Sequence, residues 1–248
     1  MINCLILVSL LILNSSISCF GLRIIGGEKA NIASFPSTVS LQQNGEHSCG
    51  GTIINNVTIL TAAHCVKPFT AKVLAIRAGS DFHDQGGVVR KVSRVKMHPK
   101  YSDMTLNHDV ALVFLSSPLE FSSTIKSVPI AVKGDLLPAN ANATVSGWGT
   151  TVQDGEISKH LRSAVVKVIS IKKCRKLFGT QIKSTMFCAG LLSGSKDACQ
   201  GDSGGGLIVN GKVAGVVSWG LGCGMPNLPG IYTRVATVSN WIMANLKN

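Results

Sequence analysis

The chain has 248 residues, enough for one large or two small domains with their own cores. With 24 Lys or Arg against 12 Asp or Glu it carries a net charge of +12, so it presents a solvated basic surface or a face for an acidic partner. It has no fixed-period repeat, no low-complexity tract and no later apolar run long enough for a bilayer, which excludes solenoid, disordered and membrane-spanning classes.

Residues 1–19 contain no Lys, Arg, Asp or Glu, and Leu5 to Leu13 is almost wholly apolar. Spanning a bilayer takes about 20 apolar residues, so this run reads as the core of a secretory signal peptide. Residues 1–19 are the expected signal, cut after Ser18 or Cys19, and the product is expected to be secreted and extracellular, with no membrane partner. Residues 20–23, Phe-Gly-Leu-Arg, then read as a short activation propeptide ahead of Ile24.

From Ile24 onward short β-type runs alternate with polar or glycine-bearing turns. The runs are Thr38–Gln42, Thr52–Ile54, Val57–Thr61, Lys72–Ala78, Val88–Val95 and Val110–Leu115. A second set comprises Thr144–Ser146, Leu161–Ile169, Leu207–Val209, Lys212–Trp219 and Ile231–Arg234. Many short strands with regular turn signals predict an all-β barrel or sandwich. Val238, Trp241, Ile242 and Leu246 recur at helical spacing, which predicts a short C-terminal helix. The stretch Ser116 to Pro138 reads as a connection, giving expected domains at 24–130 and 131–248.

Cys4 lies in the signal and Cys19 at its edge, leaving Cys49, Cys65, Cys174, Cys188, Cys199 and Cys223. An even number in an oxidising compartment favours disulfides, although spacing alone leaves their pairing open. Basic residues crowd Arg90 to Lys100 and Lys159 to Lys183. The economical reading is a solvated face; the sharper one is an exosite for acidic matrix, mucin or glycosaminoglycan, and nucleic acid is not an expected partner of a secreted chain. Asn56-Val57-Thr58 and Asn142-Ala143-Thr144 match the glycosylation acceptor pattern.

The chemistry is concentrated in one run, Asp197-Ala198-Cys199-Gln200-Gly201-Asp202-Ser203-Gly204-Gly205-Gly206. Glycines tolerate the tight turn that exposes a serine hydroxyl, and they free the N–H groups of Gly201 and Ser203 to hold an oxyanion. Such a hydroxyl needs a base oriented by a carboxylate. Leu60-Thr61-Ala62-Ala63-His64-Cys65 offers the histidine and Asn107-His108-Asp109-Val110-Ala111-Leu112 the aspartate. His108 is discounted because successive strand side chains point to opposite faces. His47-Ser48-Cys49 and His64-Cys65 look like metal ligands, but no CxxC pair accompanies them and the cysteines have better partners.

Together with Ile24-Ile25-Gly26-Gly27, Gly147-Trp148-Gly149, Ser218-Trp219-Gly220 and Pro229-Gly230-Ile231-Tyr232, these motifs resemble the trypsin-like serine proteases of the chymotrypsin family over residues 24–248. The resemblance implies two antiparallel six-stranded β-barrels with the active site between them, and a monomer that needs no cofactor or metal. It implies a serine endopeptidase of the EC 3.4.21 class, acting on protein or peptide substrates and open to protein inhibitors. His64, Asp109 and Ser203 would be the catalytic residues, with Gly201 and Ser203 as oxyanion donors. Asp197, Ala198, Gln200, Ser218, Trp219, Gly220 and Gly230 would bind substrate. Asp197 implies cleavage after Arg and Lys, and the absence of a hydroxyl at Ala198 favours Arg, which reaches a carboxylate as a bidentate fork. A cut after Arg23 would free the amine of Ile24 to pair with Asp202, making the uncut chain a zymogen. The implied disulfides are Cys49–Cys65, Cys174–Cys188 and Cys199–Cys223.

Two departures stand out. Gly206 replaces the proline usual after the serine's two glycines, and the loop Ala78 to Val88 lacks the Glu pair that binds calcium in many relatives. With the basic surface, Gly206 leaves one competing reading from another class, a catalytically impaired secreted homologue that acts as a binding protein.

Overall fold

The computed structural model describes residues 27–152, 154–194 and 197–246. The expected signal peptide, the propeptide, Arg23 and Ile24 lie outside the described residues. A short strand β1 (Glu28–Lys29) leads into β2 (Thr38–Gln43), β3 (Glu46–Asn55), β4 (Thr58–Thr61), β5 (Leu74–Ala78), β6 (Val88–Met97) and β7 (Ala111–Leu115). Strands β2 to β7 close into an antiparallel barrel in the order β2-β3-β4-β7-β6-β5.

The second half supplies β8 (Asn142–Gly147), β9 (Arg162–Ile169), helix α1 (Ile171–Phe178), β10 (Met186–Gly190), β11 (Gly206–Val209), β12 (Lys212–Trp219), β13 (Gly230–Arg234) and helix α2 (Val235–Leu246). Its strands run β9-β10-β13-β12-β11-β8, and the pairing of β8 back onto β9 closes a second six-stranded antiparallel barrel. Strand β1 adds to the start of β9, Glu28 opposite Ser163, so the first strand of the chain serves the second barrel.

Side-chain alternation explains both closures. In β5, Leu74, Ile76 and Ala78 point inward while Ala75 and Arg77 do not, and in β9 Ala164, Val166 and Val168 are buried while Val165 and Lys167 are exposed. The first core reaches beyond its own barrel, taking in Val213 and Val216 of β12 and Val235, Val238 and Ile242 of α2.

The all-β class, two six-stranded barrels and the C-terminal helix agree with the sequence reading. Three elements do not appear in it. Helix α1 buries Cys174 and Phe178 at helical spacing and is capped by Ser170, whose Oγ accepts from the Lys173 N–H at 3.3 Å. Its cations disguise it as a solvated loop. Strand β10 is buried at every position, so it shows no alternation, and β1 is only two residues long. The run expected as one strand over Lys72–Ala78 begins instead with a 3-10 turn, Ala71–Val73.

Candidate active site

His64 follows β4 and is held from both sides. Ala62 and Ala63 before it are fully buried, and Cys65 after it forms a disulfide with Cys49 of β3. Its Nδ1 lies 2.7 Å from Asp109 Oδ2, and its backbone N–H donates to Asp109 Oδ1 at 3.0 Å. Asp109 has no exposed surface and accepts a further hydrogen bond, from Ser218 Oγ at 2.6 Å. A carboxylate only accepts, so the proton of a neutral His64 sits on Nδ1 and Nε2 is left as a base. Thr233 Oγ1 donates to the Asp109 carbonyl at 2.8 Å, fixing the backbone as well. Spacing alone does not reveal that the Ser218 side chain turns to Asp109.

The alternation argument for His108 fails, because this residue is in a turn at φ 55° and not in a strand. Its ring stacks on His98 at 4.5 Å, and His98 in turn packs on Trp241.

Ser203 stands on a turn shaped by Gly201 at φ 90° and Gly204 at φ 81°. A Cβ at Gly204 would run into Thr61 Oγ1 and the Gly50 carbonyl, so only glycine fits there. The Ser203 carbonyl accepts the Gly50 N–H at 2.8 Å, which ties the turn to the first barrel. Among the described residues, no protein acceptor takes the N–H of Gly201 or Ser203, and no hydrogen bond joins Ser203 Oγ to His64 Nε2. That last link is often long before substrate arrives.

Behind Gly201 sits His47, which the sequence offers only as a discounted metal ligand. His47 Nε2 is 3.0 Å from the Gly201 carbonyl and its Nδ1 2.8 Å from Ser40 Oγ. Burial lowers its pKa to about 4, so the ring is neutral at pH 7. It donates to Gly201 through Nε2 and accepts from Ser40 through Nδ1.

One cavity of ≈ 140 Å³ gathers the expected substrate-binding residues: Asp197, Ala198, Gln200, Ser218, Trp219, Gly220 and Gly230, with Ser203. Disulfide partners Cys199 and Cys223 line it as well. Asp197 is buried and accepts the N–H groups of Ala198 at 2.9 Å and Gly224 at 3.2 Å. Desolvation nevertheless raises its pKa to about 7, with the nearby Asp202 adding to the rise. A side chain at Gly230 would come within 2.9 Å of its Oδ1. Tyr232, fully buried, also lines this cavity, and its Oη is without a hydrogen-bond partner. It lies two residues beyond Gly230 on β13, so period-two reasoning would have found it.

Asp202 is buried too, accepting from Gly149 N–H at 2.8 Å and Cys199 N–H at 3.0 Å, and burial raises its pKa to about 6. Side chains at Gly147 or Gly149 would collide with its carboxylate, which gives Gly147-Trp148-Gly149 a physical reason. Trp148 itself is core, its Nε1–H bonded to the Asp81 carbonyl at 3.0 Å.

Among the described residues, the one grouping with suitable metal-ligand atoms is Cys49, His64 and Cys65, whose two sulfurs are joined to each other. Arg77 of β5 donates to two carbonyls of the following loop, His83 at 3.1 Å and Gly86 at 2.5 Å. The third disulfide, Cys174–Cys188, fastens α1 to β10. Asn56 and Asn142 are both exposed, although Asn142 Oδ1 accepts from Lys167 Nζ at 2.6 Å.

A family model described as Trypsin matches residues 24–242. The chain is 45% identical to Trypsin alpha-4 of Lucilia cuprina over 226 residues, 90% of this chain and 87% of that protein. It is 46% identical to Trypsin alpha of Drosophila melanogaster over 227 residues, with the same coverage, and 46% identical to Trypsin beta of Drosophila erecta over 228 residues, 90% and 88% of the two chains. Motif order, barrel topology and similarity along most of the chain agree: the protein belongs to the trypsin family and is a chymotrypsin-fold serine endopeptidase of the EC 3.4.21 class.

Proposed function

We propose that the site cleaves peptide bonds after Arg and, less well, after Lys. The observation that carries this reading is Asp197, a buried carboxylate in a slot shared with Ser203, with no cation paired to it among the described residues. A buried lone carboxylate is costly, and a guanidinium entering the slot removes that cost by a bidentate pair. Lysine brings a point charge, and Ala198 supplies no hydroxyl to help receive it.

In this scheme Ser203 Oγ attacks the carbonyl carbon while its proton passes to His64 Nε2. The oxyanion is held by the N–H groups of Gly201 and Ser203, and Asp109 stabilises the imidazolium. His64 then protonates the departing amine as the C–N bond breaks. Water, deprotonated by the same imidazole, releases the acyl group from Ser203. Matched Arg, Lys and Phe chromogenic peptides test the specificity: Arg is expected to give the highest kcat/KM, and equal values for Arg and Lys would remove the preference. A serine-directed organophosphate should label the mature protein and not its Ser203→Ala variant. Failure to label the parent would point to a binding protein.

The same reading makes the chain a secreted, monomeric zymogen open to protein inhibitors. Asp202, like Asp197, is a buried carboxylate without a cation among the described residues, and the amine of Ile24 freed by a cut after Arg23 would supply one. The Arg23→Gln variant should therefore stay inactive until another cut frees the same amine. Full activity in the uncut variant would refute the scheme.

A further inference from the structure

We propose that α1 and Lys183 form an extended subsite that selects substrates with acidic residues ahead of the scissile Arg or Lys. This rests on the specificity proposed above and extends it along the cleft.

No Asp or Glu stands between Glu156 and Asp197. Within that span α1 buries Cys174 and Phe178 and exposes Lys172, Lys173, Arg175 and Lys176. Among the described residues the ion pairs are His64–Asp109, Lys67–Asp103 and Lys212–Asp135, so neither the α1 cations nor Lys183 has an acidic partner. Lys172 and Lys173 moreover occupy the first turn of the helix, where the helix dipole favours acids. Arg175 and Lys176 suit the last turn, but the pair at the start works against the helix.

Its position gives it a use. Phe178 packs edge-on to Trp219 at 5.8 Å, so α1 sits directly behind the substrate cleft. Trp219 is shared by two cavities, the Asp197 slot and a neighbouring one of ≈ 290 Å³ lined by Leu106, Thr180, Gln181 and Lys183. The Lys183 ammonium is held at this second cavity by the Thr180 carbonyl at 2.8 Å. Asp103, which also lines it, is paired with Lys67. The cavity is therefore positive on balance, and α1, which carries four exposed cations, reaches its Trp219 through Phe178. A substrate strand paired along Ser218–Gly220, its basic side chain in the Asp197 slot, passes Trp219 before it reaches Ser203. The second cavity thus takes residues that precede the scissile bond.

The test is kcat/KM of the activated enzyme on arginyl peptides with Asp, Glu or Ala at the positions preceding Arg. Acidic peptides are expected to be favoured by about tenfold at low ionic strength. The advantage should shrink to about twofold in 1 M salt, where the Debye length is about 3 Å. The Lys176→Glu/Lys183→Glu variant should lose or invert the ratio between acidic and neutral peptides, a readout that a loss of folded enzyme leaves unmoved. Equal rates across the panel, a gain only when acids follow the Arg, or a ratio unchanged in the variant would each overturn the subsite. So would heparin suppressing all peptides alike with no acid preference, since the basic face would then be a polyanion site. If the all-alanine arginyl peptide is itself not cleaved, the Arg specificity fails first and the subsite with it.

Discussion

The Asp109 carboxylate takes three hydrogen bonds with no contact with solvent, and the one from Ser218 Oγ comes from the other barrel. Ser218→Ala leaves His64 and Asp109 paired but removes one donor from a buried charge, a loss of about 1.5–3 kcal/mol. If that charge stabilises the imidazolium in the transition state, kcat should fall by about one to two orders of magnitude with KM little changed. A rise in KM alone would make Ser218 a binding residue. Asp197 gives a prediction in pH. Its folded pKa, about 7, stands above the ordinary 3.8, so between those values the folded chain keeps a proton that the unfolded chain releases. Its contribution to stability is full below the ordinary value and is lost as pH rises through about 7. Asp202, raised to about 6, acts with the same sign, and His47, lowered to about 4, acts with the opposite sign between about 4 and 6.5. Asp197→Asn removes only the first of these. It should raise Tm more at pH 8 than at pH 5, and an equal rise at both would mean that the carboxylate is not held neutral by burial.

The glycine run after Ser203 shows why one departure from the family pattern matters to an element and not to a single residue. Gly206 opens β11, and a Cβ there would overlap Thr52 Oγ1 on β3 of the other barrel. The sequence shows only that the usual proline is missing; the structure shows the space beside Gly206 already taken by a β-branched neighbour. Gly206→Ala should cost about 1–3 kcal/mol as an overpacked contact. In Gly206→Ala/Thr52→Ala much of that should return, a coupling readable by a double-mutant cycle in urea. Strictly additive costs would show that the two strands do not meet there. The contrast locates the limits of the sequence. The turn around Ser203, the small residues beside Asp197 and the alternation of β5 and β9 are local demands, and each is written in adjacent residues. Ser218 to Asp109 and His47 to Gly201 are contacts between segments far apart in the chain, with no local signature on either side. Strand β10 hid for a different reason, since burial on both faces erases the alternation that identifies a strand. Helix α1 had its cap and its spaced apolar pair in plain sight, under a run of cations that reads as surface.

At the scale of the molecule, the proposed catalytic residues come from both barrels, so the proposed activity requires that the barrels hold one relative position. Gly50 N–H to the Ser203 carbonyl, Thr38 Oγ1 to Ser146 Oγ at 2.6 Å and Ser218 Oγ to Asp109 Oδ2 all cross between them. The larger tie is apolar. Val213 and Val216 from β12 share one core with Leu60, Leu112 and Ile76 of the first barrel, and α2 inserts Val238 and Ile242 into the same cluster. The last helix therefore acts as a clasp that carries the end of the second half back into the core of the first. Ile242 is fully buried, and Ile242→Ala should cost about 2–5 kcal/mol by lost transfer and the cavity left behind. Because the damaged core belongs to both halves, the loss should appear as one cooperative transition shifted to lower denaturant. Loss of activity, far-UV signal and tryptophan fluorescence should coincide, since Trp148 and Trp219 report on the second barrel and its cleft and Trp241 on α2. Two separated transitions, with the Trp148 signal keeping its original midpoint while Trp241 moves, would show instead that the barrels are independent units.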